Sequence, residues 1–369
     1  MRPIGYFVHH QGRGHAERCA ALVNALTCPV TIFCARDDIF PDLRAGVEIR
    51  RIPSLFEETL PTPPALEAVR TPATLHCAPL GWPGIREAVA VLTGWMHEAE
   101  PALMISDVSA EIAQLCRIAS VPCVKVLQHG DRSDPGHMSA YEGCVGLLAP
   151  FHRSLAPERW TSWMLEKTHF APGLGIDPAM PDRSEARERL GIVPDRELIV
   201  VVSGGGGRGM AVAPLTMGAR AIPDAEFVVI GRTEAEWHAT GVGNLALHGW
   251  VPDPETYLAA ADVVVAPPGN TLCHQILFAR RPWIVVPEWR YFDEQRDKAA
   301  CLEREGLAYV LPDFPGTPHG WRDAIAAARA LPPAPRTLVD PLAASRAARW
   351  LDRLASDLWA PAPVALAAE

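Results

Sequence analysis

The run Ala261–Gly306, ADVVVAPPGNTLCHQILFARRPWIVVPEWRYFDEQRDKAACLEREG, decides the reading of this chain. Val263 to Ala266 is a short continuous apolar run, the pattern of a strand buried on both faces, and Pro267-Pro268-Gly269 stops it. Asn270 to Ala279 reads as a helix whose start faces that turn, and the free amides of a helix start attract phosphate. Ile284 to Val286 is a second buried strand. Asp293-Glu294-Gln295 stands at its exit, where open α/β sheets place ligand groups. A glycine turn with Asn270, Thr271 and Gln275 behind it and an acid–amide pair beside it suits a phosphorylated ligand rich in hydroxyls.

Working outward, the same alternation recurs on both sides. Leu198–Val202, Glu226–Ile230, Leu245–His248 and Ala308–Val310 each supply a strand, with helices between them. Toward the N-terminus, Ile4–Val8, Val30–Cys34, Val47–Ile52, Leu103–Ser106 and Val124–Gln128 read as strands, and Glu17–Leu26, Ile85–Glu98 and Ala110–Ala119 as helices. Repeated strand and helix patterns predict α/β architecture: two Rossmann-like, doubly wound parallel-sheet domains facing a cleft. We place the first at residues 1–155 and the second at 175–335. Pro157, Pro172, Pro178 and Pro181 make Phe151–Arg183 a hinge or linker, and Pro53–Pro83 is expected to be loop with short helix. Ala343–Leu358 carries helical spacing.

With 369 residues, 49% of them apolar, the chain is long enough for two cores. A net charge of −9, with no basic run longer than two residues, argues against a nucleic-acid partner. The sequence lacks the roughly 18-residue apolar stretch of a transmembrane segment, and it has no polybasic patch. Met1–Val8 reads as a first strand and not as a secretory signal, so a cytoplasmic protein is expected. Nine cysteines without a Cys-x-x-Cys fit buried, reduced thiols.

Two further glycine loops follow strands and precede helices. In Ser203-Gly204-Gly205-Gly206-Gly207-Arg208-Gly209, glycines let amides turn toward an anion, and Arg208 can pair with a diphosphate. The letters also satisfy the dinucleotide fingerprint, but the next strand ends Ile230-Gly231-Arg232 without the required acid, and Glu226 lies at that strand's start. A bland flexible turn is the remaining alternative. His10-Gln11-Gly12-Arg13-Gly14-His15 puts an imidazole at a strand exit, where it suits general-base work near neutral pH. Asp107 follows the Leu103–Ser106 strand and would open at the same sheet edge, as the carboxylate partner such a base needs. A backbone-bonding or capping role for His15 is the plain alternative.

These loops resemble those of the GT-B glycosyltransferases, in particular the MurG-type N-acetylglucosaminyltransferases and the plant and antibiotic UDP-glycosyltransferases. The resemblance rests on Gly12 to His15, Gly204 to Gly209, Gly269 to Gln275 and Asp293 to Gln295. It implies an inverting transferase, of hexosyltransferase type, moving a sugar from a UDP- or dTDP-linked donor to a hydroxyl of a small-molecule or lipid-linked acceptor. It also implies His15 and Asp107 as base and partner, Glu294 and Gln295 on hydroxyls of the transferred sugar, and no cofactor or metal. By resemblance, the terminal helix crosses back to the first domain. A peripheral position at a membrane is left open. The family carries Glu where this chain has Gln275, and that acid binds both ribose hydroxyls. A carboxamide offers one acceptor oxygen, so Gln275→Glu is expected to raise donor affinity.

The polar stretch Gln128–Asp134 with His137 follows another first-domain strand. Asp131, Arg132 and His137 are read as acceptor-binding alongside Gly12, Arg13 and Gly14, with an Asx-type turn as the alternative. Neither His129 nor His137 matches a recognised zinc spacing with Asp131. Trp250, at a strand end, either flanks the nucleotide base or buries itself as a core or hinge aromatic. The rival functions of the same cleft are a nucleotide-sugar hydrolase or epimerase and a non-catalytic nucleotide-sugar-binding protein.

Overall fold

The structure is a computed structural model that describes residues 1–204, 209–234 and 241–361. Its first half runs β1 (Ile4–Phe7), α1 (Arg13–Ala25), β2 (Val30–Cys34), β3 (Val47–Arg51), α2 (Pro64–Glu67), α3 (Pro83–Ala99), β4 (Leu103–Asp107) and α4 (Ala110–Ile118). β5 (Cys123–Val126), α5 (Pro135–Gly143), β6 (Gly146–Ala149), α6 (Ser162–Lys167) and β7 (Thr168–Phe170) complete it. The second half runs α7 (Arg183–Leu190), β8 (Leu198–Val202), α8 (Val212–Ala221), β9 (Glu226–Ile230), β10 (Leu245–Gly249), α9 (Pro254–Ala260), β11 (Val263–Ala266) and α10 (Asn270–Ala279). It continues with β12 (Trp283–Val285), α11 (Glu294–Arg304), β13 (Tyr309–Val310), α12 (Pro318–Ala330) and α13 (Ala343–Leu358).

Two wholly parallel sheets result, ordered β3-β2-β1-β4-β5-β6-β7 and β10-β9-β8-β11-β12-β13. Their central strands are buried on both faces, which is why they read as unbroken apolar runs. The Phe151–Arg183 stretch holds more structure than the expected hinge. Its Thr168–Phe170 segment pairs with β6 as the seventh strand of the first sheet. Three half-buried residues, one of them His169, gave that strand no apolar signature.

Each sheet is covered on both faces. On the first, α1 and α13 close one side through Leu22, Val23, Ala347 and Leu351, while α3 and α4 close the other through Leu92, Trp95 and Ile112. The terminal helix therefore packs on the first sheet; Gly146 lies where any side chain would strike Trp350, and Trp359 Nε1 donates to Ala102 O at 3.0 Å. On the second sheet, α8 and α12 pack over Phe227 and Trp321. Its other face forms a cluster that runs on into Ala149, Phe151 and Leu155 of the first half, so the two domains share apolar core. All nine cysteines are free, and Cys77 alone is exposed. Among the described residues no helix is long and apolar enough to cross a membrane.

In each sheet the order reverses beside the first strand of its half, between β1 and β4 and between β8 and β11. Chain leaving neighbouring strands at such a point departs to opposite faces and opens a crevice at the carboxyl ends. The four loops singled out by sequence, at His10–His15, Asp107, Gly204 and Gly269, leave those four strands.

Candidate functional site at the two strand-order reversals

At the first reversal, Gly12 takes φ 90°, a conformation that only glycine adopts freely, and caps α1. The helix starts at Arg13, ahead of the expected Glu17, so His15 sits in its first turn and not in the loop. Opposite, Asp107 is the last residue of β4 and is fully buried. Val108 beyond it has φ 74°, rare for a β-branched residue, and Ser109 then caps α4 by accepting from Ile112 N at 3.2 Å. Strain of that kind gathers at functional sites.

His15 Nδ1 lies 3.2 Å from Asp107 Oδ2. A third member joins them. Arg18 Nη2 donates to both Asp107 oxygens, at 2.9 and 2.7 Å, and stands 2.8 Å from His15 Nδ1. Arg18 is one helical turn beyond His15, and the i, i+3 spacing was the signal that could have found it. Burial alone would raise the Asp107 pKa, but the Arg18 guanidinium and His15 outweigh it and hold the carboxyl well below its ordinary range. Asp107 is thus a fixed anion. His15 Nδ1 has two competing neighbours: it accepts from Arg18 Nη2 when the ring proton is on Nε2, and donates to Asp107 Oδ2 when the proton is on Nδ1, and only the second tautomer leaves on Nε2 the lone pair of a general base. Beneath, on the neighbouring strand, Lys125 is buried, and desolvation pulls its pKa down to about 8 against the pull of Asp107.

At the second reversal, Gly204 is placed with Pro267 and Glu288 Oε2 nearest to it, and Glu288 is ion-paired with Arg290 at 2.6 Å. Gly205, Gly206, Gly207 and Arg208 lie outside the described residues. Gly269 caps α10, and a side chain there would meet open space. Asn270 Oδ1 accepts from the buried Lys298 Nζ at 3.0 Å, and burial lowers that lysine's pKa. Gln275, only 8% exposed, donates to Glu255 Oε1 at 2.6 Å.

The two halves meet at these helices. A Cβ on Gly14 would lie 2.8 Å from Thr271 Oγ1, so α1 and α10 approach as closely as glycine permits. Glu17, on α1, hydrogen-bonds Thr271; its pKa is raised, by burial first and by the Glu255 carboxylate, against the pull of Arg13. Arg13 itself is exposed.

The remaining candidates divide. Arg132 is buried between the halves, bonding Gln128 Oε1 at 3.0 Å and Glu294 Oε2 at 3.4 Å, with its guanidinium 4.8 Å from the Phe292 ring. Gln295 Oε1 accepts from Glu288 N at 2.7 Å. Glu294 and Gln295 both have protein partners. Asp131 Oδ1 accepts from Ser133 Oγ at 2.6 Å and Ser133 N at 3.2 Å, which is the Asx turn, while Asp131 also lines a cavity of about 550 Å³ with Thr71, His76, Asp134 and Phe292. His137 is buried against Asp134, Nδ1 to Oδ2 2.5 Å, and desolvation lowers its pKa to about 4. His76, Asp134 and His137 bring potential metal-ligating atoms within 4.8 Å of one another, the only such group among the described residues. Asp134 caps α5 through Oδ1, which accepts from His137 N at 3.1 Å, and its Oδ2 lies 2.5 Å from His137 Nδ1. Trp250 is 66% exposed, so it is no core aromatic.

Sequence reading passed over Glu255, Lys298, Phe292 and His76. Each acts across elements far apart in sequence, and nothing local marks it.

No family model matches the chain. Over 220 residues it is 26% identical to the UDP-N-acetylglucosamine--N-acetylmuramyl-(pentapeptide) pyrophosphoryl-undecaprenol N-acetylglucosamine transferase of Moorella thermoacetica, covering 54% of this chain and 57% of that protein. The match thus spans little more than half the length of that relative. The fold is similar to the glycotransferase of kitacinnamycin, with TM-score 0.67 and 17% identity over 96% of this chain and 99% of the other. It is likewise similar to MurG of Acinetobacter baumannii, with TM-score 0.63 and 13% identity over 96% of this chain and 100% of the other.

Proposed function

We propose that this chain, whose two parallel-sheet domains have the GT-B fold of the glycosyltransferases it resembles, is itself a glycosyltransferase. Its donor is a nucleoside-diphosphate sugar, UDP- or dTDP-linked, held at the second reversal by the loop from Gly204 to Arg208 and the start of α10. Its acceptor is a hydroxyl compound held by the first domain. The relative from Moorella acts with a UDP-linked sugar by name, which supports the donor class.

The reading draws its support from one juxtaposition. The His15–Asp107 pair and the start of α10 stand next to each other, because a Cβ on Gly14 would lie 2.8 Å from Thr271 Oγ1. His15 Nε2 takes the proton of the acceptor hydroxyl as its oxygen attacks the anomeric carbon. The bond from that carbon to the diphosphate oxygen breaks on the opposite side, and the diphosphate leaves with the electron pair. One displacement inverts the anomeric centre. Asp107 steadies the imidazolium that forms. Backbone amides of the glycine loop and the α10 start, with Arg208, take up charge on the leaving group. We assign residues 1–155 to the acceptor lobe and 175–335 to the donor lobe, and place the enzyme in the cytoplasm, peripheral to a membrane where the acceptor is lipid-linked.

Thermal-shift screening with UDP, dTDP, GDP and their sugars identifies the donor, since a ligand bound only by the folded chain raises Tm with concentration. With that donor and an acceptor panel, His15→Ala is expected to bind donor as the parent does while transfer falls by about a hundredfold to ten-thousandfold. Two results would overturn the reading: free sugar released as fast without acceptor as with it, or donor binding with no product from any acceptor.

A further inference from the structure

We infer that Glu255 supplies the carboxylate that holds the donor ribose, acting jointly with Gln275. The inference rests on the donor reading above and names the residues of its nucleotide subsite. A ribose diol donates two hydrogen bonds, and a lone carboxamide has one acceptor oxygen to meet them. Gln275 is not alone. Its Nε2 is bonded to Glu255 Oε1 at 2.6 Å, a charge-assisted contact that commits the amide hydrogens to the protein and fixes which way the carboxamide points. Gln275 Oε1 and Glu255 Oε2 then remain as two neighbouring acceptors. Among the described residues no side chain or backbone donor is bonded to either. Together they offer two acceptor oxygens, one from each of two helices.

The placement fits. Gln275 lies on α10, one and a half turns beyond Asn270, and Glu255 opens α9 immediately after the strand end that carries the exposed Trp250. Glu255 is half-buried, so it faces solvent on one side while Gln275 anchors it on the other. From the first domain, Glu17 approaches near enough to feel the Glu255 charge and bonds Thr271 on α10, the helix of Gln275. Hydroxyl hydrogens are the complement that carboxylates in this position lack.

The proposal reverses the expectation that restoring an acid at position 275 improves the site. With Glu255 already 2.6 Å away, Gln275→Glu sets two carboxylates against each other and removes the hydrogens that join them.

The test is calorimetric binding of UDP and 2′-deoxy-UDP, and of GDP and 2′-deoxy-GDP, to the full chain. The parent is expected to prefer the ribonucleotide by about tenfold to a hundredfold, the effect of one hydrogen bond to a charged acceptor. Glu255→Gln should bring that preference down to about threefold or less, with 2′-deoxy-UDP binding little changed. Gln275→Glu should weaken UDP binding at pH 7, and the double exchange of the two residues should restore the preference. The inference is overturned if the parent binds both nucleotides of a pair alike, or if the preference survives Glu255→Gln. If the parent binds neither pair and not dTDP either, the donor reading itself falls and takes this subsite with it; binding of dTDP alone keeps that reading and overturns the subsite, because dTDP has no 2′-hydroxyl, and both outcomes are distinct from a preference that ignores Glu255.

Discussion

α1 and α10 are built on the same local plan, each starting at a glycine just after a strand at a point of sheet-order reversal, and they meet at Gly14 and Thr271. They differ in how their polar groups are held. Beneath α1, Arg18 and Asp107 form a buried ion pair that fixes His15. Around α10, Gln275 bonds Glu255, and Asn270 accepts from Lys298 and donates to Pro150 O at 3.5 Å. A paired buried charge makes geometry rigid, because removing either member strands the other. Gln275 uses only its amide nitrogen in that contact, which leaves its acceptor oxygen for a ligand. The first helix is built to position one proton-transfer group, and the second to exchange partners.

The severest way to break this contrast is to remove Asp107. Asp107→Ala leaves Arg18 buried and unpaired, and a loss of about 3–5 kcal/mol is expected in denaturant unfolding. The pH dependence has a definite sign. Asp107 has a folded pKa below its ordinary 3.8, so it contributes stability that is complete above that value and is lost as pH falls through the folded one. The parent should therefore lose stability relative to the variant on acidification below about pH 4. An Asp107→Ala chain as stable as the parent at pH 7 would show that the pair does not lock α1.

Lys125 sharpens the same point from the opposite side. Its folded pKa of about 8 lies below the ordinary 10.5, so the charged form is penalised by folding. That penalty is complete below pH 8 and relieved between the two values, and at 1.36 kcal/mol per unit it amounts to about 3 kcal/mol. Lys125→Met should accordingly stabilise the chain by up to about 3 kcal/mol at pH 7, with the gain shrinking toward pH 10. A gain that does not change across that range would mean that packing, not charge, is responsible.

Much of this was legible in the sequence. Most buried strands read correctly because parallel sheets covered on both faces leave unbroken apolar runs, although the fully buried β6 was not among the strands expected, and α10 and α13 fall at their predicted bounds. The exits carrying His15, Asp107, Gly204 and Gly269 followed from strand ends alone. What escaped was set by tertiary contact. β7 is a half-buried edge strand without an apolar signature, and α5 is a short helix rich in small and polar residues. Arg18 was visible only as the neighbour of His15 three residues on, and its bond to Asp107 spans 89 positions. Glu255 came to Gln275 from another helix, so the substitution looked like a loss when read one position at a time.

The meeting of the two helices can be probed by steric conflict. Gly14→Ala brings a methyl to 2.8 Å from Thr271 Oγ1, and overpacking of this kind costs about 1–3 kcal/mol. Thr271→Ala should recover much of that loss in the double variant, although it also removes the Glu17 bond. Thermal unfolding of the four chains measures the coupling. Additive effects would mean that α1 and α10 do not touch in solution and that the crevice stands open there.

Trp250 gives the smallest effect and the most selective one. With 66% of its surface exposed, it contributes little to the fold, and Trp250→Ala should change unfolding free energy by no more than about 0.5 kcal/mol. Trp250 follows the end of β10, ahead of the α9 helix that carries Glu255, and its exposed ring is open to a ligand. Stacking of a nucleotide base there is worth about 1 kcal/mol, so nucleotide Kd should rise by about fivefold in the variant. That loss should be equal for UDP and 2′-deoxy-UDP, because the base is common to both. A variant that keeps full nucleotide affinity would place the base elsewhere and leave the exposed indole to the acceptor or to another surface. One that loses affinity only for the ribonucleotide would show that Trp250 supports Glu255 and does not contact the base.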